Sequence, residues 1–294
     1  MALNLHLLRL FAAVARHGSF SRAAEALHIS QPAVSKGVRE FEAQVGGRLL
    51  ERGPGGVTAT EAGRVLLRHA SALFAAERAA EEDLAALRGL TRGSLGVGAS
   101  TTIGTYLLPP LLGAFHRAHP GVELRLRNAN TAGVADSLLA RELDVALVEG
   151  PVEHPGLLVR PWREDRMIVI AAPDHRLAGT RPEAGRLAEE VVIMREPGSG
   201  TRDVVRAALT AHGVRPRATL EVGSTETIKQ VVAAGLGVAI VSAATAVDQL
   251  ALGTLVALDV RGFAVGRTLT RLSLPDRRPS AAAAAFDALL DAPA

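Results

Sequence analysis

The stretch HISQPAVSKGVREFE, His28 to Glu42, decides how the first part of the chain is read. Val34, Val38, Phe41 and Val45 recur at i, i+4, i+7 and i+11, one stripe of an α-helix. Gln31, Ser35 and Arg39 recur every fourth residue on a different face, with Pro32 and Lys36 beside them. Ser30 reads as the N-cap, so Pro32 falls in the first turn, where no intrahelical N–H is required of it. The proline marks a beginning, not a break. The outcome is a short helix that hides one face and offers hydroxyl, amide and cationic groups on the other.

Working outward, residues 1–58 read as three helices and a wing. Leu7, Leu10, Phe11 and Val14 stripe a first helix that ends near His17, with Gly18 as its C′ residue. Ser21 is expected to cap a second short helix holding Ala23, Ala24, Ala26 and Leu27. Two short helices, the second polar on its outer face, form a helix-turn-helix. RLLERGPGGVTAT follows as two short strands around a Gly-Pro-Gly-Gly tip. From Thr60 to Arg88 a long helix carries Leu66, Ala70, Leu73, Glu77, Ala80, Leu84 and Leu87 at coiled-coil spacing. Such a stripe needs cover, most simply from a second copy of the chain, the alternative being its own body. Gly89 to Gly93 is expected to act as a hinge.

A length of 294 residues suits about two domains. The apolar fraction is 48% and the charged fraction 21%, a globular composition. There is no cysteine, which excludes disulfides, thiolate zinc sites and a cysteine nucleophile. The N-terminus MALNLHLLRLF lacks the layout of a secretory signal, so the chain is expected to be cytoplasmic. Val231 to Val247 has no charge over 17 residues, but it is short for a span and Gly235 and Gly237 interrupt it. It reads as helix, glycine turn and buried strand. The net charge is +3, and residues 1–60 hold seven of the basic residues and only four of the acidic ones. The whole excess therefore sits in the first fifth of the chain, which suggests a phosphate partner there.

From Ser94 onward strand and helix patterns alternate, which predicts a mostly parallel sheet with helices on both faces, folded as two small α/β lobes. Three strand ends run into hydroxyls that open a helix: Ser100, Thr101 and Thr102; Ser199 and Thr201; Ser224, Thr225 and Thr227. Asn130 and Thr131 form a weaker fourth. Any one of these is accounted for as an N-cap. Several on one sheet edge predict a small carboxylate, phosphate or sulfur oxyanion bound at helix N-termini, with Arg195, Arg202 and Lys229 near in sequence. No Walker loop, HExxH or nucleophile–base–orienter set is present, no metal site is expected, and an enzyme is disfavoured.

The layout resembles a LysR-type transcriptional regulator over nearly the full length. The matching residues are Phe11, Val14, Gly18-Ser19-Phe20-Ser21, Ala23-Ala24, Leu27 and Ser30-Gln31-Pro32-Ala33-Val34-Ser35, continued by Arg39, Glu42, Gly46, Leu49, Arg52, Thr60 and Gly63. Gly37 departs from the pattern and is expected to weaken its helix by about 1 kcal/mol against alanine. The resemblance implies an α/β multidomain chain. Residues 1–58 would be a winged helix-turn-helix, 59–90 a linker and dimerisation helix, and 91–294 a two-lobed, periplasmic-binding-protein-like effector domain. Its lobe 1 would span about 91–162 and 267–294, and lobe 2 about 163–266. Gln31, Pro32, Ser35 and Lys36 would meet base edges in the major groove, Arg39 phosphates, and Arg52 the minor groove. Ser21 and Thr60 would hold phosphates. An ion pair of Arg39 with Glu40 or Glu42 is the competing structural role. Ser100, Thr102, Ser199, Thr201 and Thr225 fall where such regulators hold effectors, with Thr101 and Thr131 adjoining. No resident cofactor is implied. Expected partners are double-stranded DNA, a small anionic effector and further copies of the chain as dimer or tetramer, with RNA polymerase a further candidate. REPGSGTR and GSTETIKQVVAAGLGVAIVS resemble the branch controlling carbon-fixation and sulfur-metabolism genes. The competing readings are a solute-binding protein and an enzyme acting on an acidic metabolite.

Overall fold

A computed structural model describes residues 3–53, 56–86, 93–275 and 277–292. The chain divides into two compact units, Met1–Glu81 and Glu82–Ala294.

In the first unit, α1 (Leu5–His17) starts on Asn4, whose side chain accepts from the N–H groups of His6 and Leu7. It ends on Gly18 at φ 61°, a left-handed turn that suits glycine. Only one residue then remains before α2 (Phe20–Leu27), so the cap of α2 is Ser19 in extended conformation. Ser21, the expected cap, lies inside the first turn instead. Helix α3 (Gln31–Val45) is capped by Ser30, with Pro32 in its first turn. Val34, Val38 and Phe41 join Leu8, Phe11, Val14, Ala23 and Ala24 in one core, and the Phe11 and Phe41 rings lie 6.0 Å apart. A Cβ on Gly37 would stand 2.3 Å from Leu10 Cδ1. Gly37 is therefore more than a weak helix residue, because it makes the room that Leu10 occupies between α1 and α3.

The strands β1 (Leu50–Gly53) and β2 (Gly56–Ala59) pair antiparallel, Leu50 opposite Ala59. They are tied down at both ends. Glu42 accepts from the N–H groups of Leu49 and Leu50 at 2.8 and 3.1 Å, and Val57 N–H donates to the Gly18 carbonyl at 3.0 Å. Helix α4 (Glu61–Ala86) then lays Ala70, Leu66, Leu67 and Phe74 on the same core, while Glu77 pairs with Arg9 at 2.5 Å. The expected coiled-coil stripe is thus split. Leu66, Ala70 and Glu77 are claimed by the chain's own body, whereas Leu73 and Leu84 stay exposed. Leu87 and residues 89–92 of the expected hinge lie outside the described residues.

The second unit begins with β3 (Gly93–Ser100), a π-helical turn (Ile103–Leu107), α5 (Leu108–Ala118), β4 (Val122–Ala129), α6 (Thr131–Leu139) and β5 (Val145–Glu149). The long β6 (Leu158–Ala171) leads to β7 (Val191–Arg195), α7 (Gly200–Ala211), β8 (Ala218–Val222), α8 (Thr225–Ala233) and β9 (Val238–Ser242). After α9 (Val247–Ala251) and β10 (Val256–Leu258), β11 (Val265–Ser273) returns, and α10 (Ala281–Asp291) closes the unit. The sheet order is β4-β3-β5-β11-β6-β9-β7-β8, with β10 on β6. Parallel pairing holds β3 to β4 and β5, and β7 to β8 and β9. Every pairing of β6, β10 and β11 is antiparallel. The sheet is therefore mixed, not mostly parallel. Its middle consists of one strand running out of the first lobe and another running back.

Each lobe covers both faces of its strands. In the first, Leu95, Leu147, Phe115 and Phe286 share one core and Val134, Leu138, Ala146 and Val148 another. In the second, Val192, Val238 and Leu187 share one, and Ile193, Ala239, Val241 and Val232 another. The uncharged segment 231–247 is the end of α8, a turn with Gly235 at φ 80°, and the buried β9. No helix among the described residues is long and apolar enough to cross a membrane.

The lobes meet where the end of β5 touches the start of α7. A Cβ on Gly200 would stand 1.6 Å from the Glu149 carbonyl oxygen, a backbone atom that cannot move aside. Gly200→Ala is expected to cost about 3 kcal/mol and lower the melting temperature of this unit by about 6–12 °C. Gly185→Ala, where a Cβ meets nothing within 4 Å, should shift it by less than about 2 °C. Equal melting of the two variants would contradict this contact.

Candidate functional site

Two arrangements carry chemistry, one in each unit. In the first, burial of Val34, Val38 and Phe41 turns Gln31, Pro32, Lys36 and Arg39 to solvent, with Ser35 half-buried among them. Neither Lys36 nor Arg39 makes an ion pair among the described residues. The expected competitor, an ion pair of Arg39 with Glu40 or Glu42, is not formed among the described residues, and Glu42 is spent on the backbone of Leu49 and Leu50. Arg52 on β1 lies with its guanidinium 5.1 Å from the Phe20 ring centroid. Such a contact is worth only about 0.5–1 kcal/mol at an exposed site, so Arg52 is parked rather than pinned. Ser21 is exposed on α2. Thr60 is engaged internally: its hydroxyl donates to the Arg48 carbonyl and accepts from Gly63 N–H, both at 3.0 Å. Its one O–H donor is thereby given to the Arg48 carbonyl and its oxygen caps α4, so the hydroxyl expected at a phosphate has internal partners here.

In the second unit the helix-opening hydroxyls do converge, and a carboxylate already sits among them. Glu149, at the end of β5, is 2% exposed. Its Oε1 accepts from the Ser100 hydroxyl at 2.9 Å and from Thr102 N–H at 2.8 Å. Its Oε2 accepts from the Thr201 hydroxyl and from Arg267 at 3.1 Å. Burial pushes this carboxyl up, but the charge of Arg267 and the hydrogen bonds from Thr201, Ser100 and Thr102 outweigh it and hold the group below the usual glutamate range. Arg267 also reaches Asp165 at 2.7 Å, and Asp165 accepts from Ser242 at 2.7 Å. Thr131 donates to the Glu149 carbonyl at 2.9 Å and accepts from Gly200 N–H at 3.2 Å. The anchoring atoms expected to take a free anion at Ser100, Thr102, Thr131 and Thr201 are thus committed to internal partners.

A second cluster surrounds Arg195 and Lys229, both buried. Arg195 is paired with Glu196 at 2.8 Å and donates to Thr101 at 3.2 Å and to Thr225 at 3.5 Å. Lys229 donates to the Thr245 carbonyl at 2.8 Å and meets Glu226 at 3.0 Å. Its ammonium lies 5.0 Å from the Tyr106 ring centroid, and the buried Tyr106 hydroxyl has no partner among the described residues. Ser199 opens α7 without a side-chain capping bond. Arg202 is used structurally, on the Arg195 carbonyl and Glu221.

Sequence reasoning missed Glu149, Asp165, Arg267 and Tyr106. The signal for two of them was phase. Arg267 falls on the buried alternation Val265, Arg267, Leu269 of β11, and Glu149 ends the apolar run from Val145.

Residues 5–64 match the signature described as "Bacterial regulatory helix-turn-helix protein, lysR family", and residues 88–293 match "LysR substrate binding domain". The chain is 39% identical to a RuBisCO operon transcriptional regulator of Allochromatium vinosum, over 97% of this chain and 95% of that one. Full-length OxyR of Pseudomonas aeruginosa, as a variant, superposes with a TM-score of 0.76 at 28% identity, covering 99% and 94% of the two chains. The Synechocystis CcmR regulatory domain in complex with 2-PG superposes at 0.63 with 35% identity, covering 68% of this chain and 96% of that domain. An amphipathic reading helix, a wing and a two-lobed domain with anion-holding groups at its centre therefore have one common explanation: the chain belongs to the LysR family of DNA-binding transcriptional regulators.

Proposed function

We propose that this regulator controls carbon-fixation genes in response to a small anion held between the two lobes of residues 91–294. The observation that carries the DNA side is the exposed face of α3, whose Lys36 and Arg39 have no ion pair among the described residues and so can meet a polyanion. Gln31, Pro32, Ser35 and Lys36 read base edges, Arg39 and Ser21 hold phosphates, and Arg52 leaves Phe20 for the minor groove. The gene class follows from the relatives named as RuBisCO operon regulators. The chain acts in the cytoplasm as a dimer or tetramer through residues 59–90, where Leu73 and Leu84 remain uncovered, and it touches RNA polymerase at its promoters.

For the effector, support comes from the groups around Arg195. Thr101 and Thr225 accept from its guanidinium and keep their own O–H donors, Ser199 opens α7 with no side-chain capping bond, and Lys229 lies against the Tyr106 ring. A ligand of the same small anionic kind as the 2-PG of the CcmR domain suits two buried cations that each have one carboxylate partner.

In gel shifts against the promoter of a neighbouring divergent gene, Lys36→Ala should change the preferred site by about 1–3 kcal/mol at one base pair. Arg39→Ala should weaken all sites alike. Absence of sequence-preferring binding would contradict the DNA assignment. In melting experiments on the full chain, 2-PG should raise the transition of the second unit, by an amount set by its concentration over Kd. Ser199→Ala with Thr225→Val should remove most of that rise. A rise unchanged in the double variant would place the ligand elsewhere.

A further inference from the structure

We infer that Glu149 is a resident anion: its carboxylate fills the hydroxyl cluster of Ser100, Thr102 and Thr201, latches the two lobes together, and bars a free anion from that half of the cleft. The inference rests on the geometry of the second unit and holds whether or not the Arg195 side binds an effector.

The carboxylate bridges the lobes as a bound anion would. One oxygen is held from the first lobe, by the Ser100 hydroxyl at 2.9 Å and Thr102 N–H at 2.8 Å. The other is held by Thr201 on α7 of the second lobe and by Arg267 on the returning strand β11. Four donors from three separate segments therefore converge on one buried carboxylate. Around it run further bonds between the lobes: Ala132 N–H to the Gly198 carbonyl at 3.1 Å, Gly200 N–H to Thr131 at 3.2 Å, and Asn130 to Glu196 at 3.3 Å. The backbone contact of Gly150 with Gly200, where a Cβ on either would stand 2.8 Å or less from a backbone atom, shows how near the lobes come.

Charge explains why a second anion is excluded here. Glu149 and Asp165 share the single cation Arg267, so the cluster carries one net negative charge in a buried setting. A free carboxylate or phosphate entering it meets repulsion and finds the Ser100, Thr102 and Thr201 donors taken, while Arg267 keeps one buried nitrogen, Nη2, without a partner among the described residues. The anion-binding capacity of the cleft is thereby pushed to the Arg195 and Lys229 side. Glu149 thus determines specificity by occupying one anion site, and the lobes close around it with no ligand required.

The test is hydrogen exchange on the full-length protein, comparing peptides that contain Ala132 and Gly200 with peptides from the interiors of β3 and β9. Glu149→Ala leaves a hole of carboxylate size. The peptides at the lobe junction should exchange about tenfold faster or more, with the strand interiors unchanged. Formate at tens of millimolar should restore their protection in the variant and change nothing in the wild type. Junction peptides that keep wild-type rates in Glu149→Ala would overturn the latch. Formate protection of the wild-type junction that Thr201→Val abolishes would overturn the resident anion. If Glu149→Ala loosens the strand interiors as well, Thr201→Val decides, since it removes the donor from the second lobe, and with it one acceptor of Arg267, while leaving the carboxylate in place. Faster exchange confined to the junction then supports the inference, and unchanged exchange there contradicts it.

Discussion

Val34, Val38 and Phe41 have to be buried together, and that requirement turns α3. Each of the three is 2% exposed or less, in contact with the core built by Leu8, Phe11 and Val14 of α1. Burying them is worth about 1.5–3 kcal/mol per side chain, far more than any contact the polar face makes within the chain. The orientation of Gln31, Lys36 and Arg39 is therefore a by-product of hydrophobic burial. Gly37 refines the arrangement by giving Leu10 the space a Cβ would take. Glu42 fixes the wing to the same helix through the backbone of Leu49 and Leu50. The recognition helix and the wing are thus positioned by one apolar stripe, the Glu42 carboxylate and the backbone bond from Val57 to Gly18.

The second unit applies a different constraint, the cost of burying charge. Glu149, Asp165 and Arg267 sit at the centre of a continuous sheet, where an unpaired charge would be expensive. They are tolerated because each is paired and hydrogen-bonded. The same cost separates the cleft into two halves. One half is filled by the protein's own carboxylate, and the other, around Arg195 and Lys229, keeps cations whose carboxylate partners Glu196 and Glu226 are more exposed than they are. A regulator built this way starts from joined lobes, so an effector alters a closed arrangement rather than creating one.

Much of this was legible in the sequence because period and caps are local signals. The stripe at Val34, Val38 and Phe41, the cap at Ser30, the turn at Gly18 and the glycine break between α8 and β9 were all expected where they occur. The cap of α2 was misplaced by two residues because Ser19 and Ser21 are chemically alike, and only the tight turn after Gly18 chooses between them. The parallel sheet was overestimated because strand direction at β6 and β11 depends on a chain that leaves one lobe and returns, which no local pattern records. The hydroxyl clusters were found, but their guest was not. Glu149 lies about fifty residues from Ser100 and from Thr201, and Arg267 a further 66 beyond Thr201, so the network exists only in three dimensions.

The claim beneath the whole account is that the outward face of α3 meets a nucleic-acid backbone and base edges. Its most direct measurement is the affinity of the full-length protein for its promoter DNA as a function of salt. The account predicts a steep linear fall of log K with log salt concentration, made shallower by about one unit in Arg39→Ala. A flat dependence, or a slope that Arg39→Ala leaves untouched, would contradict it.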